Sequence, residues 1–440
     1  MSKRVVLAEY FTSIEATYLF LAREDFDQPE IIKIPLTLEE ITTFVFESFR
    51  AESQGQTSVS THDKLRALDE DSFCNFFAPL VDPLVSATRD NKPIINEDDV
   101  IWFVPHDVLH YLPLHALKVE GRHLIDRNPV CYTPSAAVMK YCQGKRKGRR
   151  QTALVFADSR NDLVHARDEA VHVSRLFQTT PFLGERATKE NLLDQLRRSS
   201  DFDVLHFSCH GYFNHADALQ SGIVLATNPE DENQDNLTAE EIFDLQLNAD
   251  LITLSACESG VSEREPGDEL IGLTRALIFA GTPSVLVTLW SVDDLSTNLL
   301  IERFYEELLS DAPEGPVNKV EALRLAQLYV KNLPAKEVVE SADKRLIALG
   351  NPDQFDLKSN LLMNKAYAQT AAGDLQAALE TYSQLATETR NSSNLVRIEQ
   401  TIDLLKFKLA ESSAIEVHYE IKPFSHLYHW APFILVGDWQ

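Results

Sequence analysis

The 440 residues include 67 acidic and 41 basic side chains, a formal charge of −26, with 44% hydrophobic and 25% charged residues. A field of that sign repels phosphate and argues against nucleic-acid or anionic-membrane partners, while the length calls for two or more folding units. Five cysteines, at 74, 131, 142, 209 and 257, form no disulfide framework, so a reducing, cytoplasmic setting is expected. The start Met1 to Glu9 is basic, but Glu9 breaks the apolar stretch too early for a leader peptide. The longest apolar region, Gly272 to Trp290, holds Arg275 and Pro283 and reads as helix, turn and strand, not as a membrane span.

Three strand-like pieces open the chain, Val5 to Phe11, Ala16 to Ala22 and Glu30 to Leu36, spaced as an antiparallel meander. A helix from Leu38 to Arg50 follows, its start marked by Thr37 with Glu40 three residues on, a pair that caps reciprocally. After a polar loop over 51–63, Lys64 to Ala87 is one or two helices, and Val100 to Pro105 is a buried strand. His106, His110 and His115 have no cysteine or carboxylate to complete a ligand set, so packing and turn roles are expected and no metal. The stretch 143–151, QGKRKGRRQ, is short and basic without interleaved aromatics and reads as a solvated hinge.

From Thr152 the pattern alternates between strand and helix: strand Ala153 to Ala157, helix Ala166 to Phe177, and helix Thr188 to Arg197 capped by Thr188. Two apolar runs then stop abruptly at reactive side chains. Val204 to Ser208 leads to Cys209, His210 and Gly211, and Leu251 to Leu254 leads to Ser255, Ala256 and Cys257. Both read as buried parallel strands, whose carboxyl ends are where ligands and catalytic groups collect. If the strands are neighbours, a thiol and an imidazole 47 residues apart (257 − 210) meet at one sheet edge. Cys209 and His206 also invite a zinc reading with these two residues, but alternation along a strand turns Cys209 away from His210, and core packing accounts for both better. A helix over Leu270 to Ala280, a strand over Ser284 to Trp290 and a helix over Val320 to Lys331 follow. The stretch Gly373 to Tyr382 resembles the second half of a tetratricopeptide unit, and Trp430 to Trp439 returns to strand.

Read with its flanking text, the Cys257 stretch resembles the CHAT family of caspase-like cysteine peptidases, related to separase and commonly joined to tetratricopeptide repeats. The matching text is Leu237 to Ile242, Gly267 to Ala276 and Ser284 to Asp294, and the likeness runs from about Val5 to Trp439. It implies an α/β fold: a caspase-like, parallel or mixed sheet sandwiched by helices, preceded by a pseudo-caspase α/β half, with a helical insert before the last strand. Residues 1–142 are then the N-terminal half that lost its catalytic groups, 143–151 the basic linker, 152–332 with 419–440 the catalytic domain, and 333–418 the tetratricopeptide-like insert.

On this resemblance Cys257 is the nucleophile and His210 the proton carrier, with the backbone N–H groups of Gly211 and Cys257 facing the oxyanion. In the related separases an acidic residue after the Leu-Trp motif receives a basic side chain; here Asp293 and Asp294 stand nearest, and Asp268 and Glu269 are further candidates. Asp294 serves equally as a helix cap, and Asp268 and Glu269 as solvated acids. No cofactor is implied. The expected partners are a protein substrate and an activating protein or effector complex engaging the helical insert, in bacterial regulated proteolysis or defence; nothing sets an oligomeric state. The polar loops Asn228 to Asn236 and Glu258 to Pro266 are expected to order when the partner binds, and Arg264 is a possible self-cleavage point, checked by cleavage rates with and without partner and by mass spectrometry of stored protein. The competing readings are an interaction scaffold whose catalysis is incidental and a thiol hydrolase acting on small amides.

Overall fold

The computed structural model describes residues 4–49, 61–148, 150–199, 202–212, 214, 217–227, 236–255, 268–290, 294–310, 317–349, 355–389, 392–411 and 416–440. Its centre is one eleven-stranded sheet, whose strands are numbered here in chain order: β1 (Val5–Thr12), β2 (Thr17–Ala22), β3 (Glu30–Ile34), β4 (Val100–Val104), β5 (Val130–Tyr132), β6 (Ala153–Ala157), β7 (Phe182–Leu183), β8 (Val204–Ser208), β9 (Leu251–Leu254), β10 (Ser284–Thr288) and β11 (Phe433–Gly437). They lie side by side as β7-β6-β8-β9-β10-β11-β5-β4-β1-β2-β3. Every residue of β4, β6, β8, β9, β10 and β11 is buried, as expected of strands covered by helices on both faces.

The meander at the amino terminus forms as its spacing predicts, β1 to β2 to β3 antiparallel. The capping pair forms as well: Thr37 N–H donates to Glu40 Oε2 at 2.8 Å and Glu40 N–H to Thr37 Oγ1 at 3.2 Å, opening the helix Leu38–Phe49. Strands β6, β8, β9 and β10 are mutually parallel, whereas β11 runs antiparallel to β10 and parallel to β5. One reversal in the middle of the sheet thus puts the carboxyl ends of β6, β8, β9 and β10 on one edge and those of β1, β4, β5 and β11 on the other.

The second edge anchors the segment expected to be a solvated hinge. The helix Ala136–Lys145 takes its first residues, and Arg146 then grips the fully buried Asp438 at 2.7 and 2.5 Å. Lys147 N–H reaches Asp250 at 2.9 Å, Gln151 N–H reaches Asp203 at 2.7 Å, and Arg150 donates to the Val317 carbonyl. The segment is held because three buried carboxylates at strand ends receive Arg146 and the backbone N–H groups of Lys147 and Gln151, a tertiary fact that composition does not carry.

An acid-sensitive contact lies in the same unit. Glu70, opening the helix Glu70–Ser86, accepts the Leu427 N–H at 3.1 Å and approaches Lys118 at 3.2 Å and His123 at 3.3 Å. Burial alone pushes its carboxyl up, but His123, Leu427 and Lys118 outweigh that and hold it at about 2 against an ordinary 4.5. A depressed carboxylate stabilises the fold above its unfolded value and loses that contribution as pH falls toward the folded one. Urea titrations are expected to show about 3 kcal/mol lost between pH 4.5 and 2 in the wild type, and Glu70→Gln to lack that component; equal pH slopes would refute the assignment.

Contacts divide the chain into residues 1–328 with 427–440, and residues 329–426. The second unit stacks the helices Ala335–Ala348, Phe355–Ala371, Leu375–Glu388 and Ser392–Glu411 around Leu362, Ala366, Ala378, Tyr382, Ile398 and Leu405. Gly373, at φ +80°, makes the turn between the second and third, and Asp374 caps the third through the Ala377 N–H at 3.1 Å. Among the described residues no helix is long and apolar enough to cross a membrane.

Candidate functional site

The two strands singled out by sequence are hydrogen-bonded neighbours. Strand β8 pairs with β9 in parallel, Phe207 opposite Leu254 as the last pair, and the Ser255 N–H extends the ladder to the Phe207 carbonyl at 2.8 Å. The register offset, 254 − 207 = 47, equals the spacing of His210 and Cys257 (257 − 210 = 47), so the chain leaves the two strands with both residues the same count past the last pair. Cys257 lies outside the described residues, as do Asp293, Arg264 and the loops 228–235 and 256–267. Asp268 and Glu269 open the helix Asp268–Phe279, and Asp294 opens the helix Asp294–Leu308.

His210 is half-buried, its Nε2 standing 2.9 Å from Asp162 Oδ1. Its carbonyl accepts the Val224 N–H at 2.8 Å. Val224 belongs to a small antiparallel sheet of Gly211–Tyr212, Gly222–Val224 and Asn236–Thr238, in which Gly211 pairs with Ile223. Thr238 then starts the helix Ala239–Phe243 with a capping box shared with Glu241.

One residue back from the last pair on each strand, at His206 and Thr253, a buried polar chain joins the two strands. His206 Nε2 comes within 2.9 Å of Glu169, close enough for an ion pair though off the line of a hydrogen bond. The Tyr305 hydroxyl lies 3.2 Å from His206 Nδ1 and 2.8 Å from Thr253 Oγ1, joining β8 to β9. Burial pushes the Tyr305 hydroxyl up, which keeps it a neutral phenol. Cys209 is buried too, and desolvation pushes its thiol up to about 12 despite Ser159 nearby, which makes it a poor nucleophile.

The three early histidines take packing roles. His106 Nδ1 receives the Thr12 N–H at 3.3 Å and lies 2.8 Å from its hydroxyl, His115 contacts the Tyr132 hydroxyl at 2.9 Å, and burial pulls His110 down to about 4. Among the described residues no group of three or more His, Cys, Asp or Glu is arranged to hold a metal ion. Asp162 is the site residue that the sequence reading passed over. Its signal was a turn-rich run, Asp158-Ser159-Arg160-Asn161-Asp162, at the carboxyl end of β6, next to β8.

The model of the CHAT domain family matches residues 75–438. The chain belongs to that family. Two curated relatives are both described as tetratricopeptide repeat protein 28: the human protein is 24% identical over 228 residues, 45% of this chain and 9% of its own length, and the mouse protein 26% identical over 193 residues, 37% of this chain and 8% of its own. The chain thus spans about a tenth of the relatives it matches. Among solved structures, the Saccharomyces cerevisiae separase–securin complex aligns with a TM-score of 0.47 and 10% identity over 73% of this chain and 29% of that one. Gingipain R, an Arg-specific cysteine proteinase, aligns with a TM-score of 0.37 and 10% identity over 58% of this chain and 62% of that one.

Proposed function

We propose that the protein is a cysteine endopeptidase in which Cys257 and His210 form the reacting pair and a protein is the substrate. The observation that carries this reading is the shared offset of 47 between the β8–β9 register and the two residues, with His210 held at its strand end by Val224 and Asp162. Cys257 sulfur, as thiolate, bonds to the scissile carbonyl carbon, and the carbonyl π pair moves onto oxygen. Backbone N–H groups of Gly211 and Cys257 receive that oxyanion. Collapse breaks the C–N bond as His210 gives its proton to the departing amine; water, deprotonated by His210, then hydrolyses the thioester and returns the thiol.

In this reading the acidic residues Asp293, Asp294, Asp268 and Glu269 supply a pocket for a Lys or Arg side chain before the scissile bond, consistent with the net charge of −26. The helical unit takes an activating protein partner. Its last helix leaves Val396, Leu404 and Phe407 about half exposed, on the side away from Ile398, Ile402 and Leu405. The test is mass spectrometry of cellular proteins incubated with wild type and with Cys257→Ala. New protein termini made by the wild type alone support the peptidase, and a shared basic residue before them supports the pocket.

A second reading is an interaction scaffold, favoured by the likeness to relatives named for their tetratricopeptide repeats. Cellular function that survives Cys257→Ala, with partner binding intact, would establish it.

A further inference from the structure

We infer that Asp162 is a positioning residue for His210, a third member that fixes which ring nitrogen carries the proton; this rests on the peptidase reading. A carboxylate oxygen accepts, so at 2.9 Å from Asp162 Oδ1 the His210 Nε2 carries the proton. The Nδ1 lone pair is then the one left to take the proton from Cys257 and to pass it to the leaving amine. Asp162 is the hydrogen-bonding and ion-pairing partner that the described residues give the His210 ring.

What sets this contact apart from a chance surface pair is the structure spent on holding it. Asp158 and Asn161 both take left-handed backbone, φ +50° and +58°, which bends the chain sharply just before Asp162. Asp158, nearly fully buried, accepts the Leu163 N–H at 2.8 Å through one oxygen and Arg167 at 2.9 and 2.7 Å through the other. Arg167 also reaches Asn161 Oδ1 at 2.8 Å, closing the turn. Asn161 lies over Gly184, where a Cβ would fall 2.3 Å from the Asn161 oxygen, so the turn is packed from outside as well.

Val224 braces the His210 strand end and the loop that carries Asp162. Val224 donates its N–H to the His210 carbonyl at 2.8 Å and accepts the Ser159 hydroxyl on its own carbonyl at 2.8 Å. The Asp158 N–H meanwhile bonds the Ser208 carbonyl at 3.0 Å. The loop carrying Asp162 and the strand end carrying His210 are therefore fastened to each other on both sides of the contact. Asp162 itself keeps 53% of its side-chain exposure and His210 15%, so the contact acts through orientation and a screened charge.

The experiment needs no identified substrate. Cys257 in the full chain is alkylated with iodoacetamide from pH 5 to 9.5, and the rate is read from the mass of the peptide that carries it. Only the thiolate reacts, so the acid limb reports how well protonated His210 supports it. Asp162→Asn is expected to slow alkylation at pH 6 about threefold to tenfold, to leave the rate at pH 9.5 unchanged, and to keep the melting temperature. Asp162→Glu is expected to restore part of the loss. If Asp162→Asn follows the wild type at every pH while His210→Ala loses the acid limb, the positioning role is wrong and the dyad stands. If His210→Ala also matches the wild type, the peptidase reading itself falls.

Discussion

Lys319→Met is expected to destabilise the protein by about 3 to 5 kcal/mol, the range for breaking a buried ion pair from one side. Lys319 begins the helix Lys319–Asn332 with its side chain fully buried. Its ammonium reaches Asp250 Oδ2 at 2.9 Å, the Ser284 hydroxyl at 2.7 Å and the Asp250 carbonyl at 3.4 Å, with Asp438 3.8 Å away. Burial pushes the Lys319 ammonium down, and Asp250 and Asp438 pull it back up. Removing the ammonium leaves Asp250 charged and without water, with the Lys147 N–H at 2.9 Å and Arg150 at 4.0 Å as remaining support. Neutralising the orphan should offset much of this: Lys319→Met with Asp250→Asn is expected to recover more than half of the loss in urea unfolding at pH 7. A double variant as weak as the single would show that the cost is packing alone.

That cluster also marks the boundary of what sequence alone discloses. Val204–Ser208 and Leu251–Leu254 were legible as buried strands because their runs are short, β-branched and stop at polar residues, and the two pair in parallel with Phe207 opposite Leu254. Thr37 with Glu40 and the cap at Thr188 were legible because a cap is a local interaction, decided within three residues. The last strand was legible too, since Trp430 to Trp439 resumes a strand pattern after a long helical stretch, and β11 forms within it over Phe433–Gly437. Arg146 and Arg150 were not: a basic run looks the same whether it meets water or three buried carboxylates, and Asp203, Asp250 and Asp438 come from distant positions. Asp162 escaped for the same reason. It lies 48 residues before His210, and only the adjacency of β6 to β8 brings their carboxyl ends together.

Gly222→Ala is expected to act on the site while sparing the large sheet. A Cβ on Gly222 would fall 2.2 Å from the Leu237 carbonyl oxygen and 2.8 Å from Thr238 Cα. These are backbone atoms of the paired strand, in register with Gly222, so no rotamer change relieves the overlap and the two strands must part. Such overpacking costs about 1 to 3 kcal/mol locally. The loss lands on Val224, two residues along, whose N–H holds the His210 carbonyl and whose carbonyl takes the Ser159 hydroxyl. Hydrogen exchange at the Val224 amide should therefore quicken, while amides of β8 and β9 keep their protection. On the proposed peptidase reading, where catalytic geometry tolerates little displacement, cleavage is expected to fall about a hundredfold, and Cys257 alkylation should lose its acid limb as in His210→Ala. Unchanged exchange at Val224 together with unchanged alkylation would mean that the small sheet yields without moving His210, and that Glu169, Tyr305 and Thr253 beneath the strand ends are sufficient to hold it.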